Sequence, residues 1–77
     1  MPNFVECFGK IIYARRRKLR LSQEELSINS GIDRSFISSL EKGKRNPSLL
    51  TILKIADGLK TSSSKLMKEA EECTKGM

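Results

Sequence analysis

Histidine and tryptophan are absent from this chain of 77 residues, and only four residues are aromatic. Without histidine the chain lacks the commonest general base and a usual ligand of zinc. No pairing of carboxylates and lysines suggests a catalytic constellation. We therefore expect neither an enzyme nor a protein that needs a metal or cofactor.

Long apolar runs are also missing, since none approaches the roughly 20 residues that span a membrane. The start of the chain, MPNFVECFGK, lacks the basic and apolar regions of a signal peptide. These absences argue against a membrane or secreted protein and predict a cytoplasmic location.

Cysteine is scarce, because only Cys7 and Cys73 are present, near opposite ends and without Cys-x-x-Cys spacing. In a cytosolic chain such residues are usually reduced thiols that pack as small apolar side chains or lie at frayed ends. The pattern therefore predicts two reduced cysteines.

Positive charge is plentiful but unevenly distributed. The net charge is +6, and residues 10–45 contain ten Lys or Arg against four Asp or Glu. Residues 61–77 contain three of each sign. A basic region of this kind is typical of proteins that bind the phosphates of nucleic acids.

The segment from Ser22 to Glu41, SQEELSINSGIDRSFISSLE, predicts two short helices joined at Gly31. Ser22 and Glu25 have the spacing of a capping box, and Asp33 can cap the second helix in a similar way. Gly31 suits the left-handed conformation in which many helices end. The apolar residues of the segment are Leu26, Ile28, Ile32, Ile37 and Leu40. Helix, tight turn and helix in so few residues predict a helix-turn-helix.

A further helix is predicted before this segment, from Val5 to about Leu19. Its proposed inner face consists of Phe8, Ile12, Arg15 and Leu19. The run from Arg15 to Lys18 has two interpretations. Either its cations are solvated and favour the helix C-terminus, or at least one of them contacts a phosphate.

Two more helices are predicted after the segment. The fourth is capped by Ser48 and runs to about Leu59, with these residues facing inward: Leu49, Ile52, Ile55, Ala56 and Leu59. The fifth is capped by Ser62 and carries Leu66, Met67 and Ala70. We expect one all-α domain over 1–77, with an ordered helical core at 4–73 and a tail at 74–77.

Several motifs resemble the Cro/repressor-type helix-turn-helix family over roughly Phe8 to Met67. They are LSQEEL at 21–26, Gly31-Ile32, Ile37-Ser38-x-Leu40-Glu41-x-Gly43 and Arg45-Asn46-Pro47. The string DRSFIS, followed by Arg45-Asn46, is most similar to controller proteins of restriction–modification systems. The resemblance implies a five-helix, lambda-repressor-like domain with the helix-turn-helix at helices 2 and 3.

The same resemblance implies a transcriptional regulator that acts as a homodimer on a palindromic operator in double-stranded DNA. It would switch promoters by covering them or by recruiting RNA polymerase. The alternatives are a prophage-type repressor, or an antitoxin or protein-interaction module of the same fold. The fifth helix would be the dimer interface, and the candidate interface residues are Leu53, Met67 and Ala70.

The resemblance also assigns base-reading residues to the second helix of the motif, namely Arg34, Ser35, Ser38 and Ser39. Arg34 can bind guanine O6 and N7 with both arms of its guanidinium, whereas serine carries little sequence information. We therefore expect DNA shape to contribute to specificity. Phe36 is either a core residue at the helix junction or an apolar contact to a thymine methyl group or sugar.

The same resemblance implies a set of phosphate contacts and one structural ion pair. The expected phosphate-binding residues are Gln23 at the start of the first motif helix and Lys42, Lys44, Arg45 and Asn46 in the loop after the second. That loop has the alternative interpretation of a merely soluble turn. Arg16 and Glu41 match a family pair that joins the first helix to the end of the third.

Overall fold

A computed structural model describes residues 3–76; Met1, Pro2 and Met77 lie outside this description. It consists of five α-helices: α1 Phe4–Lys18, α2 Gln23–Ser30, α3 Arg34–Glu41, α4 Leu49–Gly58 and α5 Ser63–Lys75. No strand occurs within residues 3–76. The predicted all-α, five-helix fold is confirmed. Helix α5 extends two residues beyond the predicted end of the helical core at residue 73.

Local hydrogen bonds determine where the motif helices begin and end. The Ser22 hydroxyl accepts from the Glu25 amide at 3.0 Å, and the Glu25 carboxylate accepts from the Ser22 amide at 2.8 Å. Asp33 accepts from the Ser35 amide at 3.0 Å at the start of α3. Gly31 has a φ of +75°, a left-handed conformation that glycine adopts without steric penalty. The predicted helix-turn-helix is therefore confirmed at α2 and α3.

All five helices contribute to one apolar core. Its largest fully buried side chains are Phe8, Ile12, Leu26, Ile37, Leu40, Ile55, Leu59 and Leu66. Helix α1 lies very close to the end of α3 at Gly9, where an added methyl group would overlap the carbonyl oxygen of Leu40. This close packing fixes the position of α3 relative to α1.

Two predicted inner-face residues, Leu19 and Leu49, are exposed instead, and so is Ile28 in the helix-turn-helix segment. Ile28 is 77% exposed, because residues two apart on a helix point in nearly opposite directions and Leu26 occupies the buried side. Leu19 is 41% exposed because it follows the last residue of α1. Leu49 is 80% exposed at the first position of α4. Together with the exposed Leu50 and Leu53, Leu49 forms an apolar surface on α4 that we call the α4 leucine patch.

The prediction of two reduced cysteines is wrong, because Cys7 and Cys73 form a disulfide. Their Cα atoms are 5.8 Å apart, within the range that a disulfide requires. Cys7 is fully buried on α1, and Cys73 is half-buried on α5. The packing of α5 against α1 brings together two residues that are 66 positions apart in sequence.

Arg15 also links α1 to α5, rather than extending an apolar face. Its Nε donates to Glu69 Oε1 at 2.9 Å, and its Nη2 donates to Glu69 Oε2 at 2.6 Å. These hydrogen bonds raise the pKa of Arg15 and lower the pKa of Glu69. Arg15 is thus held by a carboxylate of its own chain.

Two kinds of feature are absent from residues 3–76. No helix there is long and apolar enough to cross a membrane. No three Cys, Asp or Glu side chains come close enough together to hold a metal ion.

Candidate nucleic-acid interface

Helix α3 has a buried apolar side and an outward polar side. Ile37 and Leu40 are buried in the core. Among the predicted base-reading residues, Arg34 and Ser35 are exposed, whereas Ser38 and Ser39 are half-buried. The Arg34 guanidinium is therefore the longest polar group that α3 presents to solvent.

The first turn of α3 is ordered by Asp33. Its carboxylate accepts from both the backbone amide and the hydroxyl of Ser35. These hydrogen bonds, the one from the hydroxyl above all, lower the pKa of Asp33. The hydroxyl proton of Ser35 is used within the helix, which leaves its oxygen as an acceptor for a base or a water.

A buried ion pair connects α1 to the end of α3. Arg16 Nε donates to Glu41 Oε2 at 2.6 Å, and Arg16 Nη2 donates to Oε1 at 2.9 Å. The two side chains are only 9% and 6% exposed, and hydrogen bonding to Glu41 raises the pKa of Arg16. A third bond, from Arg16 Nη1 to the carbonyl of Leu21 at 2.9 Å, fixes the turn before α2.

Gln23, the predicted phosphate ligand of α2, joins this ion pair. Its Nε2 donates to Glu41 Oε1 at 3.0 Å. The first residue of α2 is thereby tied to the last residue of α3, so the start of one motif helix and the end of the other are held together.

A groove of about 850 Å³ opens at the start of α2, between the end of α1 and the first turn of α3. It is lined by Arg16, Arg17, Arg20, Leu21, Ser22, Gln23, Glu24, Glu25 and Arg34. Arg16 is already paired with Glu41, so Arg17, Arg20 and Arg34 are the arginines left to attract an anion, beside Glu24 and Glu25. Unpaired backbone amides and the helix dipole also favour an anion at the start of α2. Arg20 was not among the residues assigned from the sequence; the basic run before α2 was the only signal for it.

The loop after α3 carries the other predicted phosphate-binding residues, and all of them are exposed: Lys42, Lys44, Arg45 and Asn46. Gly43 has a φ of +71° and permits the turn that follows α3. The Arg45 guanidinium lies 5.3 Å from the centre of the Phe36 ring, on α3. Phe36 itself is half-buried against the core.

The three predicted interface residues differ in accessibility. Leu53 is 55% exposed, whereas Met67 is partly buried against the core. Ala70 is fully buried within the chain, so its assignment to a dimer interface is wrong: it offers no surface to a second molecule. Leu49 and Leu50, which the sequence does not single out as interface candidates, are 80% and 60% exposed.

A helix-turn-helix whose second helix exposes polar side chains beside an arginine-lined groove defines a DNA-binding domain. Comparison with known proteins agrees with this class. The helix-turn-helix family HTH_3 matches residues 12–66, and the chain belongs to that family.

Relatives of the chain narrow the class. It is 41% identical to the control protein C.MunI of Mycoplasma sp over 66 residues, covering 84% of this chain and 89% of the relative. It is 36% identical to the control protein C.SmaI of Serratia marcescens over 74 residues, covering 87% and 88%. The crystal structure of the restriction–modification controller protein C.AhdI from Aeromonas hydrophila matches with a TM-score of 0.78 and 40% identity, covering 80% of this chain and 94% of that one. The chain is a helix-turn-helix transcriptional regulator of the restriction–modification controller type.

Proposed function

We propose that this regulator acts as a homodimer that binds a palindromic operator and controls a restriction–modification system. The observation that carries the proposal is the position of Arg34, which is exposed on α3 and also lines the basic groove at the start of α2. One side chain can thus lie at a base edge while the neighbouring arginines contact the phosphates beside it.

The proposed contacts divide into two groups. Arg34 reads a guanine, and Ser35, Ser38 and Ser39 add hydrogen bonds or fit the shape of the groove. The phosphates are held on one side by Arg17, Arg20 and the amides at the start of α2. On the other side they are held by the loop residues Lys42, Lys44, Arg45 and Asn46.

The α4 leucine patch supports the homodimer. Leu49 and Leu53 are one helical turn apart, and Leu50 lies beside them, so the three exposed side chains are contiguous. A second copy of the chain would remove this apolar surface from water. In the dimer, the two α3 helices would occupy successive major grooves about 34 Å apart, on half-sites related by the two-fold axis.

Selection of bound DNA from a random-sequence pool tests the proposal directly. We expect recovery of a palindromic sequence, bound with a Kd of about 10⁻⁸ to 10⁻¹¹ M. The logarithm of the affinity should fall with the logarithm of salt concentration by about 0.9 for each phosphate neutralised. Recovery of no preferred sequence would contradict the proposal, as would binding that is insensitive to salt.

Substitutions then separate base reading from phosphate binding. Arg34→Ala should weaken binding to the selected sequence by about 1–3 kcal/mol and relax the preference at one base pair. Lys44→Ala should weaken all sequences alike and reduce the salt slope by about 1. Lys68→Ala, which removes an equal charge from the exposed side of α5, is the control. It should change neither the base preference nor the salt slope.

The dimer is tested by Leu53→Lys. Placing a charge in the α4 leucine patch should give a monomer in sedimentation and abolish tight binding to the full palindrome. Lys54→Ala, at the next position of the same helix, is the control and should remain dimeric. If the wild type itself sediments as a monomer at micromolar concentration and still binds the palindrome tightly, the homodimer is refuted.

A further inference from the structure

Phe36 lies between the core and a basic side chain. The ring is half-buried against the core cluster, which limits its movement. The Arg45 guanidinium lies over the ring, 5.3 Å from its centre, within the range of a cation–π interaction. The ring is thus a fixed platform on α3 for a residue of the following loop.

Arg45 differs in this respect from the other basic residues of the loop. Lys42 and Lys44 are exposed, and neither lies over an aromatic ring among the described residues. A long exposed side chain normally loses rotamer freedom when it binds a phosphate. Because Arg45 is already held against Phe36, much of that loss has occurred before DNA arrives.

We propose that Phe36 is a positioning residue for operator binding, which holds the Arg45 guanidinium in place to contact a backbone phosphate. This inference rests on the proposed function. It differs from both sequence-based interpretations of Phe36, because the ring contributes neither through the core alone nor by touching a base. It also makes the phosphate contact of the loop depend on a residue of the base-reading helix.

A double-mutant cycle tests the proposal on the duplex that the wild type selects. Phe36→Leu keeps an apolar side chain against the core but removes the aromatic face. In the wild-type background it should weaken binding about two- to five-fold, as expected for an exposed cation–π interaction. Most of the change should appear in the dissociation rate, and the salt slope should stay the same because the charge of Arg45 remains.

Phe36→Leu should not weaken DNA binding further once Arg45 is replaced by alanine. In a Lys44→Ala background, which removes a neighbouring charge instead, Phe36→Leu should keep its full effect. Phe36→Tyr retains the aromatic face and should bind as the wild type does. Urea unfolding of each variant checks that all are folded under the binding conditions, and Phe36→Met replaces Phe36→Leu if the latter is not.

The proposal is overturned if Phe36→Leu weakens binding by the same factor with and without Arg45. In that case the ring contacts DNA itself or acts through the core. Failure of the proposed function looks different, because the wild type would then select no duplex at all.

Discussion

Replacing Cys7 and Cys73 by alanine removes a covalent link between α1 and α5. The two residues are 66 positions apart, so the disulfide closes most of the chain into a loop and restricts the unfolded state. Chain-entropy arithmetic for a loop of this length gives about 4 kcal/mol of stabilisation. Since small domains have a total stability of about 5–15 kcal/mol, the link supplies a large share of it.

Urea unfolding of three samples measures this contribution: the oxidised wild type, the wild type with reductant, and the Cys7→Ala/Cys73→Ala variant. A change of about 4 kcal/mol should lower the midpoint by roughly 1–4 M at the slopes usual for small proteins. The reduced wild type isolates the link itself, whereas the variant also loses the packing of the buried Cys7 sulfur. Alanine is preferred to serine because serine would bury a hydroxyl group there.

Cys73→Ala alone is the matched control, because it breaks the link while leaving the buried Cys7 in place. Its midpoint should equal that of the reduced wild type and should not respond to reductant. Thiol titration in denaturant should find no free thiol in the oxidised wild type. If reductant leaves the midpoint of the wild type unchanged, the argument from loop closure is refuted.

Three further changes test interactions that join α1 to α3 and to α5. Glu41→Ala leaves a buried arginine without its partner and should lower the free energy of unfolding by about 3–5 kcal/mol in urea; equal stability would refute the role of the pair. Glu69 has a lowered pKa in the folded state, so its pair with Arg15 stabilises the fold above the ordinary carboxyl pKa of 4.5, and the benefit disappears as pH falls through the folded value. Because both side chains are partly exposed, Glu69→Gln should cost at most about 1 kcal/mol at pH 7 and nothing in acid, as measured by urea midpoints across pH. Gly9→Ala should destabilise by about 1–3 kcal/mol, because its methyl group would force α1 away from Leu40; an unchanged melting temperature would contradict this close contact.

The boundaries of the two motif helices could be predicted from the sequence because their causes are local. The capping box of Ser22 and Glu25 spans only four residues, and the turn at Gly31 depends on that residue's own conformation. Asp33 likewise caps α3 through a hydrogen bond to a residue two positions away. Both partners of each such interaction lie within a few residues of each other, so a short stretch of sequence is enough to predict it.

Interactions between α1 and α5 could not be predicted in the same way. A periodic pattern on α1 assigns Arg15 to an inner face but does not indicate which helix covers it. The partner, Glu69, is 54 positions away, and the partner of Cys7 is 66 positions away. Both pairs follow from how the fifth helix packs on the first, which depends on the whole core.

The exposure of the α4 leucine patch has a related cause. Leu49 and Leu53 fit a helical apolar face, and periodicity alone does not distinguish a face that contacts the core from one left for a partner. The structure separates the two, since Ile52 and Ile55 are buried while the leucines are exposed. The same helix therefore serves the core on one side and carries the proposed dimer surface on the other.

Folding changes the charge that the candidate nucleic-acid interface presents to DNA. The segment from Ser22 to Glu41 contains four carboxylates and a single arginine, so by composition it would repel DNA. In the folded chain, Glu25 and Asp33 accept helix-capping hydrogen bonds, and Glu41 is neutralised in a buried ion pair. The groove beside them receives its charge mainly from Arg17 and Arg20, at the end of α1 and in the turn after it, because the charge of Arg16 is balanced by Glu41. In the proposed complex, phosphate attraction and base selection would depend on different segments. Arg34→Ala should therefore change sequence preference more than it changes the salt dependence of binding.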